Sequence, residues 1–327
     1  MQAIAEQPHR FVGGRNSWVA QSFLRLRGDL EARGLAVRLS NRTEPGTLCV
    51  VHRDDANDFR ESAHRSFLVV IRADRAPVAA CDFAIAQNSV ALGDHERFVP
   101  LWPQPGLRVR DPSRGTGIRR MVYQGRIRTA PAWFFDTGFH AALARRGVRF
   151  DVRTRHWEDY RDADITIAAR EDVRSLLATK PGTKIYNSWH AGVPVLATPE
   201  PAYHELIRSP YDWLEVSSAR DVIYALDYLR ASPAMYTAMV ENGRRRARQF
   251  SVDAIRNRWL ELFDREFIPA FQKSRPRLDA RLMWFLAAMT RQKLASRVWR
   301  AHAQMQRRRL NVQKLRPVEL EGPVTQF

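Results

Sequence analysis

Cysteine is nearly absent from this sequence of 327 residues. The two cysteines, Cys49 in "LCVV" and Cys81 in "VAACDF", both lie inside apolar runs. Two thiols in such positions provide neither a disulfide framework nor the ligand spacing of a zinc site, so small disulfide-bonded and zinc-binding modules are excluded. We expect both to be reduced thiols in the core.

Long apolar runs are also absent. The run "LMWFLAAM" falls far short of the roughly 20 apolar residues that a membrane span requires. The first residues, "MQAIAEQPHR", lack the apolar segment of a signal peptide. We therefore expect a cytoplasmic protein whose membrane contact is limited to peripheral binding on the inner face.

Acidic residues are too few to balance the basic ones. The chain has 53 Lys and Arg against 35 Asp and Glu, a net charge of +18. Residues 273–327 alone carry 13 basic and 3 acidic residues, which is +10 of that excess. Such a segment favours an acidic partner, such as an anionic lipid, a nucleic acid or another polyanion. Because no known nucleic-acid-binding module is visible, no specific nucleic acid is expected.

What the chain does have is a series of short apolar runs separated by turn residues. Runs such as "LCVV" and "FLVVI" are continuous rather than alternating, which is typical of strands buried on both faces of a parallel sheet. A helix is predicted over 16–34. In this first part of the chain we predict strands at "HRFVGG", "LAVRLS", "TLCVVHR", "SFLVVIRADR", "CDFAIAQNS" and "RFVPLW".

A Pro-, Gly- and Arg-rich segment at 103–120 reads as a linker, after which the strand and helix pattern restarts. The second series predicts strands at "MVYQGR", "VRFDVR", "ADITIAAR", "VPVLAT" and "DWLEV", and helices at "WFFDTGFHAALARRG", 183–191, 219–231, 233–249 and 252–272. Alternating strands and helices predict an α/β protein with two Rossmann-like, doubly wound domains facing a cleft. We place the domains at 1–120 and 121–265, followed by a basic amphipathic helical tail at 266–327.

The tail has an apolar stripe at helical spacing with Lys and Arg on its other faces. The stripe is formed by Leu282, Leu286, Met289, Leu294, Val298, Ala301 and Met305. Two interpretations remain open at this point. Residues 273–316 bind an anionic membrane surface, or the helix packs back across both domains.

The stretch "TKPGTKIYNSWHAGVPVLATPEP" carries the most specific chemistry. Pro181, Gly182 and Thr183 open a helix whose free backbone N–H groups suit a diphosphate, and Lys184 adds a positive charge to its first turn. The next strand leads to a loop with Glu200 and Glu205, which we expect to accept hydrogen bonds from sugar or ribose hydroxyls.

The segment "KPGTKIYNSWHAGVPVLATPEPAYHELI" resembles the nucleotide-sugar-binding half of glycosyltransferases with the GT-B fold. "MVYQGR", with Arg126 towards the donor phosphates, and the later "NGRRRA" are similar to other parts of that half. The likeness covers 121–265, and a weaker one covers 9–120, where "GGRNSW" resembles the glycine loop of the acceptor half. The resemblance implies a nucleotide-sugar donor and neither a cofactor nor an essential metal.

Two departures from the family pattern stand out. The common retaining branch carries two glutamates eight positions apart, where this chain has Thr179 and Asn187. Either Asn187 takes over the ribose contact or the donor lies differently. The lysine that usually follows the Gly-Arg pair is also missing, so Lys184 or Lys180 is expected to replace it.

The candidate site residues fall into three groups. For donor binding we consider Arg126, Arg170, Lys180, Lys184, Asn187, Glu200 and Glu205; for the glycine loop and acceptor, Gly13, Gly14 and Trp18; and for a general base, His52, Asp54 and Asp55. A base is sought because an inverting transfer removes a proton from the acceptor hydroxyl. The alternative for each residue is structural: a surface or capping charge, a tight turn, or a tryptophan in the core.

The sequence thus predicts a glycosyltransferase that moves a sugar from a nucleotide-sugar to an acceptor held by residues 1–120. A lipid-linked or envelope glycan would suit the basic tail. The alternative is a non-catalytic, glycosyltransferase-like binding protein, or a protein that binds polyanions through its charge.

Overall fold

We describe the protein from a computed structural model, which covers residues 2–56, 63–90, 92–274 and 278–314. Parts of the predicted tail, 275–277 and 315–327, lie outside the described residues, as do the last residues of the predicted membrane-binding segment.

The chain forms nine strands and eleven α-helices over the described residues. The strands are β1 (Leu48–His52), β2 (Phe67–Ile71), β3 (Phe83–Ala86), β4 (Glu96–Phe98), β5 (Arg120–Gln124), β6 (Arg149–Arg153), β7 (Ile165–Ala168), β8 (Val195–Ala197) and β9 (Leu214–Glu215). The helices are α1 (Gln2–Glu6), α2 (Gln21–Glu31), α3 (Thr137–Ala144), α4 (Arg174–Leu177), α5 (Thr183–Ala191), α6 (Pro201–His204), α7 (Ala219–Ala231), α8 (Pro233–Ala247), α9 (Val252–Leu262), α10 (Ile268–Lys273) and α11 (Leu278–Lys314). One π-turn, Asn16–Ala20, precedes α2, and another, Phe263–Phe267, joins α9 to α10.

The first sheet is parallel, with its four described strands in the order β1-β2-β3-β4. Its central strand β2 is buried along its whole length. Val69 and Ile71 belong to the core cluster on one face, and Leu68 and Val70 to the cluster on the other. Both faces are therefore covered, which is why this strand reads as a continuous apolar run.

Two strand predictions in this unit are wrong. Around "HRFVGG" the chain forms a 3-10 turn, Pro8–Phe11, which Pro8 favours by lacking an N–H at the first helical position. The segment "LAVRLS" runs beside the sheet without a strand ladder. Its Leu35 and Val37 pack onto the core cluster of α2 and α9, so burial is achieved through side chains alone.

The second sheet has five strands in the order β6-β5-β7-β8-β9, all parallel. Here β5 lies between β6 and β7, so the strand order reverses beside β5. Such a reversal is a topological switch point, where the loops at the carboxyl ends of two strands part and leave a crevice. Gly192 ends α5 in the left-handed conformation, with φ of 70°, as the sequence predicts.

After the second sheet, the chain returns to the first. Trp259 of α9 and Phe263 and Phe267 of the following π-turn pack in the same cluster as Trp18 and Trp102. By these contacts α9 belongs with the first unit, although the sequence places 252–265 in the second domain. The prediction misses this because a helix's sequence marks its apolar side but not the sheet against which that side packs.

Helix α11 also packs back, on the opposite face of the first sheet. Phe285 and Ala288 are buried against it, and the side-chain amide oxygen of Gln292 accepts bonds from the backbone N–H groups of Ala79 and Ala80, at 3.1 and 3.2 Å. At its far end the helix reaches the second unit, where the Arg307 guanidinium lies 2.7 Å from the Asp172 carboxylate. This is the packing-back interpretation of the tail.

The predicted apolar stripe of the tail mostly faces solvent. Leu294, Val298 and Met305 are 56%, 68% and 55% exposed. The inward stripe instead includes Gln292 and Ser296. The spacing of apolar residues predicts the wrong buried side of the helix, because the side that is buried carries two polar residues, Gln292 and Ser296.

Two parallel α/β units joined by a linker confirm the predicted fold class, the architecture of the GT-B type. The linker itself packs on the second unit, where Arg110 and Arg114 both bind the buried Asp164 carboxylate, at 2.8 and 2.7 Å. Over the described residues, no helix combines the length and the apolar character needed to cross a membrane.

Candidate functional site

The switch point of the second sheet lies beside two arginines that the sequence singles out. Strand β5 ends at Gln124 and continues into Gly125 and Arg126, and β7 is followed by Ala169 and Arg170. Helix α5 begins nearby with Lys184 in its first turn. Carboxyl ends of parallel strands and a helix N-terminus thus meet in one place, the combination that binds phosphate groups in doubly wound folds.

Lys184 is the unusual residue of this place. Its ammonium is buried, has no hydrogen-bond partner among the described residues, and lies 3.7 Å from the centre of the Tyr123 ring. Burial, and then repulsion by Arg170, lower the pKa of Lys184 well below its ordinary value. The aromatic face gives the cation some stabilisation, but three N–H donors without an acceptor favour an anion as the missing partner.

Arg170 and Glu200, both predicted to contact the donor, contact each other. The Arg170 guanidinium donates to the Glu200 carboxylate, and both side chains are almost fully buried. Burial by itself would lower the pKa of Arg170, but the Glu200 carboxylate raises it further, and the net direction is upward. In this conformation the Glu200 carboxylate is paired with Arg170, and its contact with a sugar hydroxyl stays a prediction.

This ion pair nevertheless belongs to the Lys184 site. The Arg170 guanidinium lies over the Tyr203 ring, 5.5 Å from its centre, and Glu200 is one of the charges that act on Lys184. One carboxylate faces two cations, so the site carries a surplus of one positive charge when Lys184 is protonated. That surplus is suited to a ligand phosphate.

Gly125 and Arg126 form the rim of the site. A Cβ atom on Gly125 would lie 2.6 Å from the Tyr123 hydroxyl and 2.8 Å from the Lys184 ammonium, so any larger residue would have to displace the ends of these side chains. Arg126 follows with an exposed side chain, and its contact with donor phosphates stays a prediction.

Lys180 is held by the first unit. Its ammonium lies 2.7 Å from the Asp74 carboxylate, in the loop after β2. Next to it, the Asn88 side-chain amide donates to the backbone oxygens of Ala178 and Lys180, at 2.8 and 2.9 Å. The loop that leads into α5 is thereby tied to the carboxyl ends of β2 and β3.

Asn187 and Glu205 form ties of the same kind. The Asn187 side-chain oxygen accepts from the backbone N–H of Gln104 in the linker at 3.2 Å, and Glu205 accepts from the Ser89 hydroxyl at 2.8 Å. Thr179, at the other family glutamate position, is buried and donates to Leu176. In this conformation these side chains bind neighbouring protein groups.

The cavity between the two units beside the start of α5 is small. It measures about 130 Å³ and is lined by Asn88, Gly182, Tyr186, Glu205 and Arg208, among others. Pockets for organic ligands usually measure roughly 300–1,000 Å³. The hydrogen bonds and the ion pair between the two units thus hold them in a closed arrangement around this cavity.

The three candidate bases lie together at the carboxyl end of β1, but each is engaged. The His52 Nδ1 atom accepts from the Asp54 backbone N–H at 3.2 Å, which places the proton of the neutral ring on the buried Nε2. Burial lowers the pKa of His52, so the ring is neutral and Nε2 is a donor. In this state the Nε2 atom donates rather than accepts a hydrogen bond, and the role of His52 as a general base stays a prediction.

The two carboxylates are paired with arginines. Asp54 accepts two bonds from Arg75, at 2.9 and 2.8 Å, and this hydrogen bonding holds the pKa of Asp54 below its ordinary value. Asp55 lies 3.3 Å from Arg15, which follows the glycine pair.

The glycine loop is a turn with left-handed backbone at both positions, with φ of 103° for Gly13 and 52° for Gly14. Space is open where a Cβ atom would project from either residue, so the backbone angle alone explains both glycines. Trp18 is 4% exposed within the core, the structural alternative to stacking on a sugar.

Several residues of the site escape sequence reasoning. Tyr123 and Tyr203 look like ordinary core aromatics, and Asn88 looks like a loop residue. The sequence offered one signal for residues such as Asn88, namely a polar residue shortly after a strand of a parallel sheet. Such positions converge at one edge of the sheet, where ligands bind.

Among the described residues, no group of three or more His, Cys, Asp and Glu side chains is placed to hold a metal ion.

Comparison with known proteins gives matches among solved structures only. No protein-family model matches the chain. The search of curated proteins found no match either.

HepE from Anabaena, crystallised with UDP, is 13% identical to this chain, covers 66% of it and 78% of its own length, and has a TM-score of 0.49. AviGT4, a glycosyltransferase involved in avilamycin A biosynthesis, is 15% identical, with coverages of 80% and 92% and a TM-score of 0.48. A glycosyltransferase from Rickettsia africae ESF-5 is 10% identical, with coverages of 78% and 81% and a TM-score of 0.45. Because each TM-score is below 0.5, the fold assignment rests on the strand order and contacts of this chain.

Proposed function

We propose that the protein is a glycosyltransferase that transfers a sugar from a nucleotide-sugar, with the donor diphosphate bound at the start of α5. The observation that carries this proposal is the buried, unpartnered ammonium of Lys184 at the switch point of the second sheet. A buried cation without an acceptor is unfavourable unless a ligand supplies one, and a phosphate supplies several oxygens.

In this proposal, Lys184 and the first N–H groups of α5 hold one phosphate, and Arg126 on the rim holds the other. The Arg170–Glu200 pair keeps the floor of the site rigid and positively biased. Developing charge on the leaving diphosphate is stabilised by preorganised cations and N–H groups, which is how such a site lowers the barrier without a metal.

The acceptor is assigned to the first unit, residues 1–120, whose β2 and β3 ends face the α5 loop. A sugar or lipid-linked glycan fits the proposal, with His52 Nε2–H as a hydrogen-bond donor to it once the units open. HepE binds UDP in its crystal, and UDP is therefore one of the nucleotides to test first.

A second candidate function is nucleotide-sugar binding without transfer. It is favoured by the engagement of all three candidate bases and by Thr179 and Asn187 at the family glutamate positions. It shares the donor site with the first proposal and differs in the absence of turnover.

The deciding experiment is a thermal-shift panel of UDP, GDP, ADP and their sugars, followed by an assay of nucleoside diphosphate release with the sugar that binds. At a hundredfold excess over Kd, a ligand adds about 2.7 kcal/mol to the free energy of unfolding. We expect one nucleotide to raise the Tm of the wild type but not of Lys184→Met, while Lys180→Met, which removes the Asp74 ion pair that holds the units closed, responds at least as strongly as the wild type. No shift with any nucleotide refutes both functions, and binding without release selects the second.

A further inference from the structure

Helix α11 carries two apolar sides, of which the first sheet covers only one. The covered side includes Phe285 and Ala288, which are 5% and 6% exposed. On the opposite side lie Met283, Leu294, Val298 and Met305, which we call the outward face of α11. These four side chains are 55–68% exposed.

The spacing along the helix makes the outward face one continuous strip. Its members are separated by 11, 4 and 7 residues, which are close to whole numbers of helical turns. From Met283 to Met305 the strip is about 33 Å long at a rise of 1.5 Å per residue. A packed helix in a soluble domain ordinarily has polar residues on this side.

Cations without an ion-pair partner among the described residues flank the strip. Of the basic residues on α11 between 281 and 308, Arg281 and Arg307 are paired with aspartates of the sheet units. The others are exposed and form no ion pair with a described residue: Arg291, Lys293, Arg297, Arg300 and Arg308. The sequence of α11 has no Asp or Glu after residue 279.

We infer that the outward face of α11 binds the surface of an anionic lipid bilayer, with its four apolar side chains inserted at the level of the headgroups and its flanking cations on the lipid phosphates. An apolar strip with Lys and Arg along its edges is the pattern of helices that lie in the plane of a membrane surface. Anionic lipid is the partner that offers an apolar layer and negative charge together.

Other binding partners are complementary to either the apolar strip or the cations of this surface, but not to both. A second copy of the chain would bring the same cations against these, which disfavours a symmetric contact. A nucleic acid would pair with the cations but leave the apolar strip in water. The inference does not depend on the proposed function, since no donor or acceptor enters it.

The test is sedimentation of the full chain with phosphatidylcholine vesicles, with and without phosphatidylglycerol. We expect binding to the anionic vesicles only, weaker at high salt. The double variant Leu294→Glu, Val298→Glu should bind at least about tenfold more weakly. Its matched control is Tyr224→Glu, Tyr228→Glu, which places the same two charges at exposed positions of α7 and should bind like the wild type.

Removing charge separates the two contributions. Arg297→Gln and Arg300→Gln should each weaken binding to anionic vesicles by about fivefold. The inference is overturned if the wild type does not bind anionic vesicles, or if the Leu294/Val298 variant binds as well as the wild type, because the basic charge of the whole chain would then suffice. A wild-type dimer that Leu294→Glu dissociates would assign the face to a second copy instead.

Discussion

Replacing Lys184 with methionine should make the protein more stable and less able to bind its ligand at the same time. Methionine fills a similar volume but has no charge to bury. The ammonium has three N–H donors and no hydrogen-bond acceptor among the residues that the structure describes, and an unsatisfied buried group costs about 1–3 kcal/mol. A residue kept at a cost in stability is expected where it contacts a ligand.

The magnitude follows from the contacts. The variant removes the desolvation cost but also the contact of the cation with the Tyr123 ring, 3.7 Å away, worth about 1–2 kcal/mol when desolvated. A methionine sulfur near the same ring returns about 0.3–1.5 kcal/mol. We therefore expect a net gain of about 1–2 kcal/mol in the free energy of unfolding, or roughly 2–6 °C in Tm.

The pH dependence of this gain has a definite sign. The pKa of Lys184 is lower in the folded chain than in the unfolded chain, so the unfolded state binds the extra proton and wild-type stability rises with pH above the folded pKa. The advantage of Lys184→Met should then shrink as pH approaches about 10.4, the unfolded lysine value. Ligand binding should weaken over the same window, because a bound phosphate needs the protonated ammonium.

The assay is denaturant unfolding of wild type, Lys184→Met and Lys180→Met across pH, with and without the nucleotide that binds. Lys180→Met is the matched control, because the Lys180 ammonium has a carboxylate partner at 2.7 Å and its loss should leave stability unchanged or slightly lower. If Lys184→Met is destabilised, or binds the nucleotide as tightly as the wild type, the ammonium is not an unsatisfied ligand-binding group and the site assignment fails.

Two further predictions concern the rim and the closed state. Gly125→Ala should weaken nucleotide binding about tenfold or more, because the new Cβ displaces the Lys184 ammonium. The control Gly93→Ala should leave binding unchanged, because its new Cβ lies 3.8 Å from the nearest atom. Equal affinities of the Gly125→Ala variant and the wild type in calorimetry would exclude the close approach of Gly125 to Lys184. Asp74→Asn should tighten nucleotide binding about two- to fivefold, because it weakens the partly exposed ion pair with Lys180 that holds the two units closed. Weaker binding by this variant would mean that Asp74 contributes to the nucleotide-bound state.

Much of the second unit is predictable from sequence because its elements are local. Helix α5 begins after Pro181-Gly182 and ends at Gly192. Both the start signal and the stop signal lie next to the helix in the sequence. The apolar runs that become β5, β7 and β8 lie between turn residues in the same way. The location of Lys184 and Arg126 at one sheet edge follows from the fold class alone.

The partners of the site residues are not predictable in this way. Arg170 and Glu200 are 30 positions apart, and Lys180 and Asp74 are 106 positions apart. The sequence around each residue therefore does not indicate which residue it pairs with. A charged side chain after a strand points into the crevice, but whether it awaits a ligand or meets another residue depends on how closely the units approach. In the sequence, Lys184 and Glu200 are both charged residues next to a strand or helix end. Only the folded structure shows that Lys184 has no described partner whereas Glu200 is paired with Arg170.

The return of α9 and α11 to the first sheet has a consequence for synthesis of the chain. Strands β1–β4 are complete by residue 98 and have α2 on one face, but α9, which completes that face, and α11, which covers the other, begin only at residues 252 and 278. At roughly 5–20 residues per second, these strands wait about 10–30 s for their cover while the chain is translated. Residues 120–250 hold the second sheet together with helices α3 to α8 and can fold during that interval. We therefore expect the carboxyl-terminal unit to complete its fold first on the ribosome, and the amino-terminal strands, with apolar side chains on both faces, to be the part of the nascent chain that most needs a chaperone.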